Sequence, residues 1–168
     1  MNRHYDRYLV KKYEPMFRNR YGDMRTTAMC WGFSCGDGWF DIINNLCHLI
    51  CSDWLRVKKD YDEVRDRVGL RRFEWAGDKE WNHIVTEEDV AFAKQRMEEE
   101  REKIPVVTQV KEKFGGLRFY VSAATDEQFA YIRFAEEMSL TTCDVCGDRG
   151  RPTKDGWIVT RCNKHLQD

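Results

Sequence analysis

Close to the end of the chain, Cys143-Asp-Val-Cys146-Gly147 is followed, fifteen residues later, by Cys162-Asn-Lys-His165. Two short spacers of equal length, each flanked by metal-ligating side chains, constrain folding more than any other feature. A C-x2-C and a C-x2-H segment can each turn both of their side chains toward one ion. Gly147 suits the tight reversal that such a knuckle needs. Zn²⁺ prefers about four tetrahedral nitrogen and sulfur ligands, and Cys143, Cys146, Cys162 and His165 supply them. Three thiolates and a neutral imidazole fill the coordination sphere, so the expected site is structural, one Zn²⁺ holding a C-terminal ribbon.

The other residues are numerous enough to bury a core. With 168 residues, 42% of them hydrophobic, the chain is expected to form an α+β core domain over 1–140, with a zinc-ribbon module over 141–168 docked on it. A net charge of −1 argues against a surface that binds polyanions generally, while leaving room for local basic patches. Residues 1–27 hold seven basic and three acidic residues, whereas 87–103 hold seven acidic and four basic ones. Seven cysteines, an odd number with three in the metal motif, fit a reducing compartment, and the expected location is cytoplasmic. No apolar run reaches the roughly 20 residues of a membrane span, and the polar opening Met1-Asn-Arg-His-Tyr-Asp lacks a signal-peptide core.

Along the chain, Tyr5, Leu9, Tyr13 and Met16 recur at helical spacing and predict an N-terminal helix over 2–17 that ends near Gly22. A Gly-rich stretch, 31–38, leads into a buried central helix carrying Trp39, Ile42, Ile43, Leu46, Ile50 and Trp54. Residues 56–86 are charge-dense, with Trp75 and Trp81 as isolated anchors, and give no clear pattern. Thr86 with the acids after it predicts a helix start, and Pro105 closes that helix. Val106–Phe114 and Leu117–Ser122 alternate around Gly115-Gly116 and predict a two-residue hairpin. In that register Phe114 faces Leu117, Glu112 faces Phe119, Lys113 faces Arg118 and Lys111 faces Tyr120, giving one apolar and one basic face. Glu112 is the exception on the apolar face and needs a partner. Thr125-Asp-Glu-Gln128 is a capping box for a last helix with a Phe129, Ile132, Ala135, Met138 stripe.

Gly36-Asp-Gly-Trp39-Phe-Asp-Ile-Ile43, Val110-Lys-Glu-Lys-Phe-Gly-Gly-Leu-Arg-Phe-Tyr120, Phe134-Ala-Glu-Glu, Gly156-Trp157 and the metal motif together resemble a family of small proteins encoded by tailed bacteriophages and prophages. The resemblance runs from Gly36 onward. It implies a setting, a phage protein in the cytoplasm of a bacterial host, rather than a reaction. Phage accessory proteins of this size often bind and disable host or defence proteins, so the expected partner is a bacterial host protein.

Cys30, Cys35, Cys47 and Cys51, with His48, are candidates for a second metal site, but their looser spacing favours buried thiols acting as small apolar residues. Asp37, Asp41, His48 and Glu112 are the only candidates for catalysis. Asp37 is better explained as a cap of the central helix and Asp41 as a partner of its dipole. No phosphate-binding loop, nucleophile elbow or metallohydrolase motif is present, and the expectation is a protein that is not an enzyme.

Candidate binding residues are Lys111, Lys113, Arg118 and Tyr120 on the hairpin's outer face and Trp157 beside the metal motif. Basic side chains interleaved with aromatics can hold phosphates and stack bases. Arg149, Arg151, Lys154, Arg161 and Lys164 would add to such a surface, but the module's acids and thiolates bring it near neutrality. A nucleic-acid-binding or regulatory zinc ribbon is therefore the alternative. Six tryptophans and seven tyrosines exceed what one small core uses and favour a protein interface, with Trp31, Trp75, Trp81 and Trp157 outside the periodic stripes.

Overall fold

Asn2 starts the first helix: its side-chain oxygen accepts from the backbone N–H groups of His4 and Tyr5 at 2.9 and 3.0 Å, and α1 covers Arg3–Lys12. The expected extension to Gly22 does not form. Pro15 disfavours helical backbone at Glu14, so the helix closes at Tyr13, and successive turns carry the chain onward. The stripe survives that break, because Leu9, Tyr13 and Met16 are all buried.

The computed structural model describes residues 1–76, 79–153 and 156–166, the side chains of 72–76 and 79–82 excepted. The fold is α+β. After α1 come β1 (Phe33–Ser34), a 3-10 turn at Asp37–Trp39, α2 (Phe40–Arg65), β2 (Arg71–Ala76), β3 (Lys79–Ile84) and α3 (Glu87–Glu102). Then follow β4 (Val107–Lys113), β5 (Gly116–Val121), α4 (Asp126–Ser139), β6 (Arg151–Pro152) and β7 (Thr160–Arg161). The chain divides into two compact units, Met1–Ile50 with Ile104–Asp168, and Cys51–Lys103. Segment 141–168 falls within the first unit.

In the first unit β4 is the middle strand of a mixed sheet in the order β1-β4-β5, with β1 parallel to β4 and β5 antiparallel. Sequence alone predicts only the hairpin. Its turn is also displaced: Lys113 pairs with Gly116, Glu112 with Leu117, Lys111 with Arg118 and Val110 with Phe119. The two turn residues are therefore Phe114 and Gly115, at φ 54° and 76°. Two positive φ values match the turn that suits strand twist. Gly116 has a different task, since a Cβ there would lie 2.9 Å from Leu140 Cδ2 and 3.0 Å from Arg118 Nη1. Moving the turn by one residue shifts both strands together, so each residue keeps its face. Val110, Leu117 and Phe119 are buried, while Lys113 and Tyr120 are exposed.

The free edge of β5 is closed by α4. Leu117 N–H donates to Ser139 Oγ at 2.8 Å and Phe119 N–H to Glu136 Oε1 at 2.9 Å. Side chains in place of a further strand remove an aggregation-prone edge. The capping box at Thr125 and Gln128 forms as expected. However, the buried stripe is Ile132, Ala135 and Ser139, whereas Phe129 and Met138 remain partly exposed, because the strand edge draws Ser139 inward.

The second unit contains most of what the sequence leaves unread. α2 continues to Arg65 and β2 pairs with β3 as an antiparallel hairpin. Val64, Val85 and Ala93 form a small core with Tyr61 and Val90 against it. Thr86 and Asp89 make a reciprocal capping box at the start of α3, at 2.8 and 3.3 Å. Trp75 and Trp81 lie outside the residues whose side chains are described.

Candidate metal centre and the adjoining groove

The four residues read from the spacing converge. The ligand atoms of Cys143, Cys146, Cys162 and His165 all lie within 4.8 Å of one another. Cys143 Sγ is 3.6 Å and Cys162 Sγ 3.2 Å from His165 Nδ1, and Cys146 Sγ is 3.7 Å from Cys162 Sγ. The geometry can hold a metal ion. Burial pushes the Cys143 thiol up, but backbone N–H groups of Cys162, Cys146 and Val145 outweigh it and bring the value to about 6. Contacts with the Cys162 and Cys143 sulfurs hold the His165 imidazole above its ordinary value. A divalent ion bound here would displace the protons of these thiols and of the imidazole nitrogen that faces them.

Backbone bonds build each knuckle. Gly147, at φ 82°, donates to Cys143 O at 2.9 Å, and Cys143 N–H donates to Asp148 O at 2.8 Å. His165 N–H donates to Cys162 O at 3.0 Å, closing the second knuckle. Asp144 N–H donates to Thr160 O at 3.0 Å and ties the first knuckle to β7.

The Gly-rich stretch before α2 is the partner of this cluster, which sequence reasoning missed. Gly38 N–H donates to Asp144 O at 2.9 Å, and fully buried Trp39 donates its indole N–H to Thr142 O at 2.8 Å. A Cβ at Gly36 would lie 1.8 Å from Asp144 O, and one at Gly38 would lie 2.2 Å from Cys143 O. Only glycine permits two backbones to approach this closely. The Gly-x-Gly-Trp pattern was itself the signal, for a tryptophan following two glycines marks close packing as well as a turn. Asp37 does not cap the helix as expected; its carboxylate accepts from Asn2 N and Nδ2 at 2.6 and 2.7 Å.

Three of the five candidate binding residues, Lys111, Lys113 and Trp157, gather, whereas Arg118 and Tyr120 do not line the same groove. Lys111, Lys113, Phe114, Trp157 and Ile158 line one groove of about 470 Å³, with Glu112 and Gly156. Trp157 is 79% and Phe114 67% exposed. Lys111 Nζ lies 5.5 Å from the Tyr120 ring and Lys113 Nζ 5.2 Å from the Phe114 ring. Arg118 Nη1 turns to its neighbour, the Leu117 carbonyl, at 2.7 Å. Glu112 finds its partner in the turn, accepting from Gly115 N–H at 2.7 Å. The Gly115 carbonyl accepts from buried Thr160 Oγ1 at 2.6 Å, so the hairpin turn is pinned to β7.

The other sequence candidates are dispersed. Among the described residues, the only group of three or more metal-ligating side chains within reach of one ion is the C-terminal one. Cys35 and Cys51 are buried thiols that burial pushes up to about 12. Arg149, Arg151 and Arg161 line a second surface pocket of about 470 Å³ beside Cys162. Arg161 Nε lies 3.0 Å from Asp144 Oδ1 and Lys164 Nζ 3.5 Å from Asp148 Oδ2, so two of the basic residues are already paired. Lys154 lies outside the described residues. Trp31 is exposed. No helix of the described residues is long and apolar enough to cross a membrane. No family model matches the chain, and no curated protein or solved structure matches it either.

Proposed function

We propose that the chain is a non-enzymatic zinc protein of tailed-phage origin that binds a bacterial host protein in the host cytoplasm, with inhibition of a host or defence component as its effect. Zn²⁺ is the ion of choice because three sulfurs and one imidazole nitrogen are its usual structural donor set; ideal bonds place sulfurs about 3.8 Å apart and sulfur about 3.6 Å from nitrogen, against separations here that run from 3.2 Å up to 4.8 Å. All four positions belong to protein side chains, which fits a structural role. The observation that carries the binding function is the groove, where Trp157 and Phe114 stand exposed on a scaffold pinned by Thr160. Exposed aromatics on rigid backbone are typical anchors of protein interfaces. The absence of any assembled nucleophile, base and oxyanion donor in the sequence motifs supports binding over catalysis.

Arg149 and Arg151 beside the metal cluster favour a second reading, nucleic-acid binding. A pull-down from bacterial lysate, with mass spectrometry and nucleic-acid analysis of the eluate, separates the two. A specific host protein that survives nuclease treatment supports the first reading. Nucleic acid alone, released steeply by salt, supports the second.

A further inference from the structure

We infer that the groove between the Phe114 turn and the Gly156–Ile158 loop is the recognition site for an acidic segment of the protein partner, one that carries an aromatic or aliphatic anchor residue. This rests on the reading of the chain as a protein-binding protein and names the chemistry that it would recognise. The lining of the groove combines the apolar side chains of Phe114, Trp157 and Ile158 with the basic side chains of Lys111 and Lys113. Neither lysine has an ion-pair partner among the described residues; each lies over an aromatic ring instead. The one carboxylate in the lining, Glu112, is engaged by Gly115 N–H at 2.7 Å and does not neutralise them. Among the described residues, the groove therefore combines an apolar slot with two cations that have no ion-pair partner.

Both walls are held in place. Thr153 closes the loop that presents Trp157, donating from Oγ1 to Trp157 O at 3.1 Å and accepting from Val159 N–H at 3.1 Å. Opposite it, Phe114 has a left-handed backbone, φ 54°, which is uncommon for a bulky residue. That conformation leaves the Phe114 ring in solvent rather than in the core. A preformed slot requires little reordering on binding.

Charge decides between an acidic peptide and a nucleic-acid strand. A single strand needs a run of cations that follows its phosphates, whereas this lining holds two lysines and one glutamate. A few carboxylates around one anchor side chain match that count, and a polyanion does not.

The test is to pan a random displayed-peptide library against the zinc-loaded full-length protein and to synthesise the leading peptide. Enriched sequences should combine Asp or Glu with Trp, Phe or Leu. The synthetic peptide should lose at least about tenfold in affinity for Trp157→Ala and for the Lys111→Glu/Lys113→Glu double variant, both retaining one equivalent of zinc. The inference is overturned by no enrichment, by enrichment without that pattern, by affinity unchanged in both variants, or by oligo(dT) binding that the same substitutions abolish. A lysate pull-down with Trp157→Ala keeps the two levels apart. A host protein captured equally by wild type and variant sinks the groove while leaving the protein-binding function intact; a wild-type pull-down with no host protein sinks that function itself.

Discussion

The metal cluster and one wall of the groove, Gly156–Ile158, come from the same C-terminal segment, yet they use it in opposite ways. Around the cluster Cys143 and Cys162 are buried, Cys146 lies at the surface, and backbone atoms of Asp144 and Thr142 bond directly to the Gly38–Trp39 segment. At the groove the backbone is fixed and the side chains face out, with Trp157 at 79% exposure. The contrast separates rigidity from recognition. One region makes the segment a fixed part of the first unit, and the other uses that fixity to hold large side chains in water without collapse. Substitutions in the first should damage folding, and substitutions in the second should damage binding alone.

The largest effect should come from Cys143→Ser with Cys146→Ser. Structural zinc sites contribute on the order of 10 kcal/mol to the folding of the segment they hold, so the variant should lose its metal and the C-terminal segment its order, as read by metal analysis and amide-resolved NMR. Next is Gly38→Ala, whose Cβ would meet Cys143 O at 2.2 Å. It should destabilise by about 3 kcal/mol, visible as a lower melting temperature even with zinc in excess. Thr160→Val removes the donor to Gly115 O; a cost of about 1–2 kcal/mol is expected, together with exchange broadening of the Phe114 turn. The smallest stability effect belongs to Trp157→Ala, within about 0.5 kcal/mol of wild type while partner binding falls. Stability losses of equal size at Gly38 and Trp157 would dissolve the distinction between the two regions.

Legibility in the sequence follows the same division. The ligands Cys143, Cys146, Cys162 and His165 are readable because metal coordination imposes fixed spacing, a local rule. The helix start at Thr86 and the capping box at Thr125 are readable because they too are local. What the residues pack against is not local. Gly115-Gly116 predicts the turn one residue late because Gly116 is required under Leu140 and Arg118, and Phe114 takes the left-handed position instead. The glycines at 36 and 38 serve a knuckle more than a hundred residues away, a role that no periodicity records. In the second unit, Arg71–Ala76 and Lys79–Ile84 flank a Gly-Asp dipeptide, which is a hairpin signal, but the surrounding charge density masks the alternation. The groove falls between these cases. Its basic face is visible from strand alternation, whereas its second wall, Trp157 and Ile158, depends on tertiary contact through Thr160.

On the proposed function, one zinc ion locks the C-terminal knuckles onto the Gly36–Trp39 segment. The most direct measurement combines metal stoichiometry with hydrogen exchange at residues 36–39 and 141–149, before and after chelation. The account predicts one equivalent of zinc, and on its removal a joint loss of protection at Gly38 and in the 143–147 knuckle, whose backbones are bonded to each other. Protein that contains no zinc, or that keeps its protection at Gly38 after the metal is stripped, would contradict it.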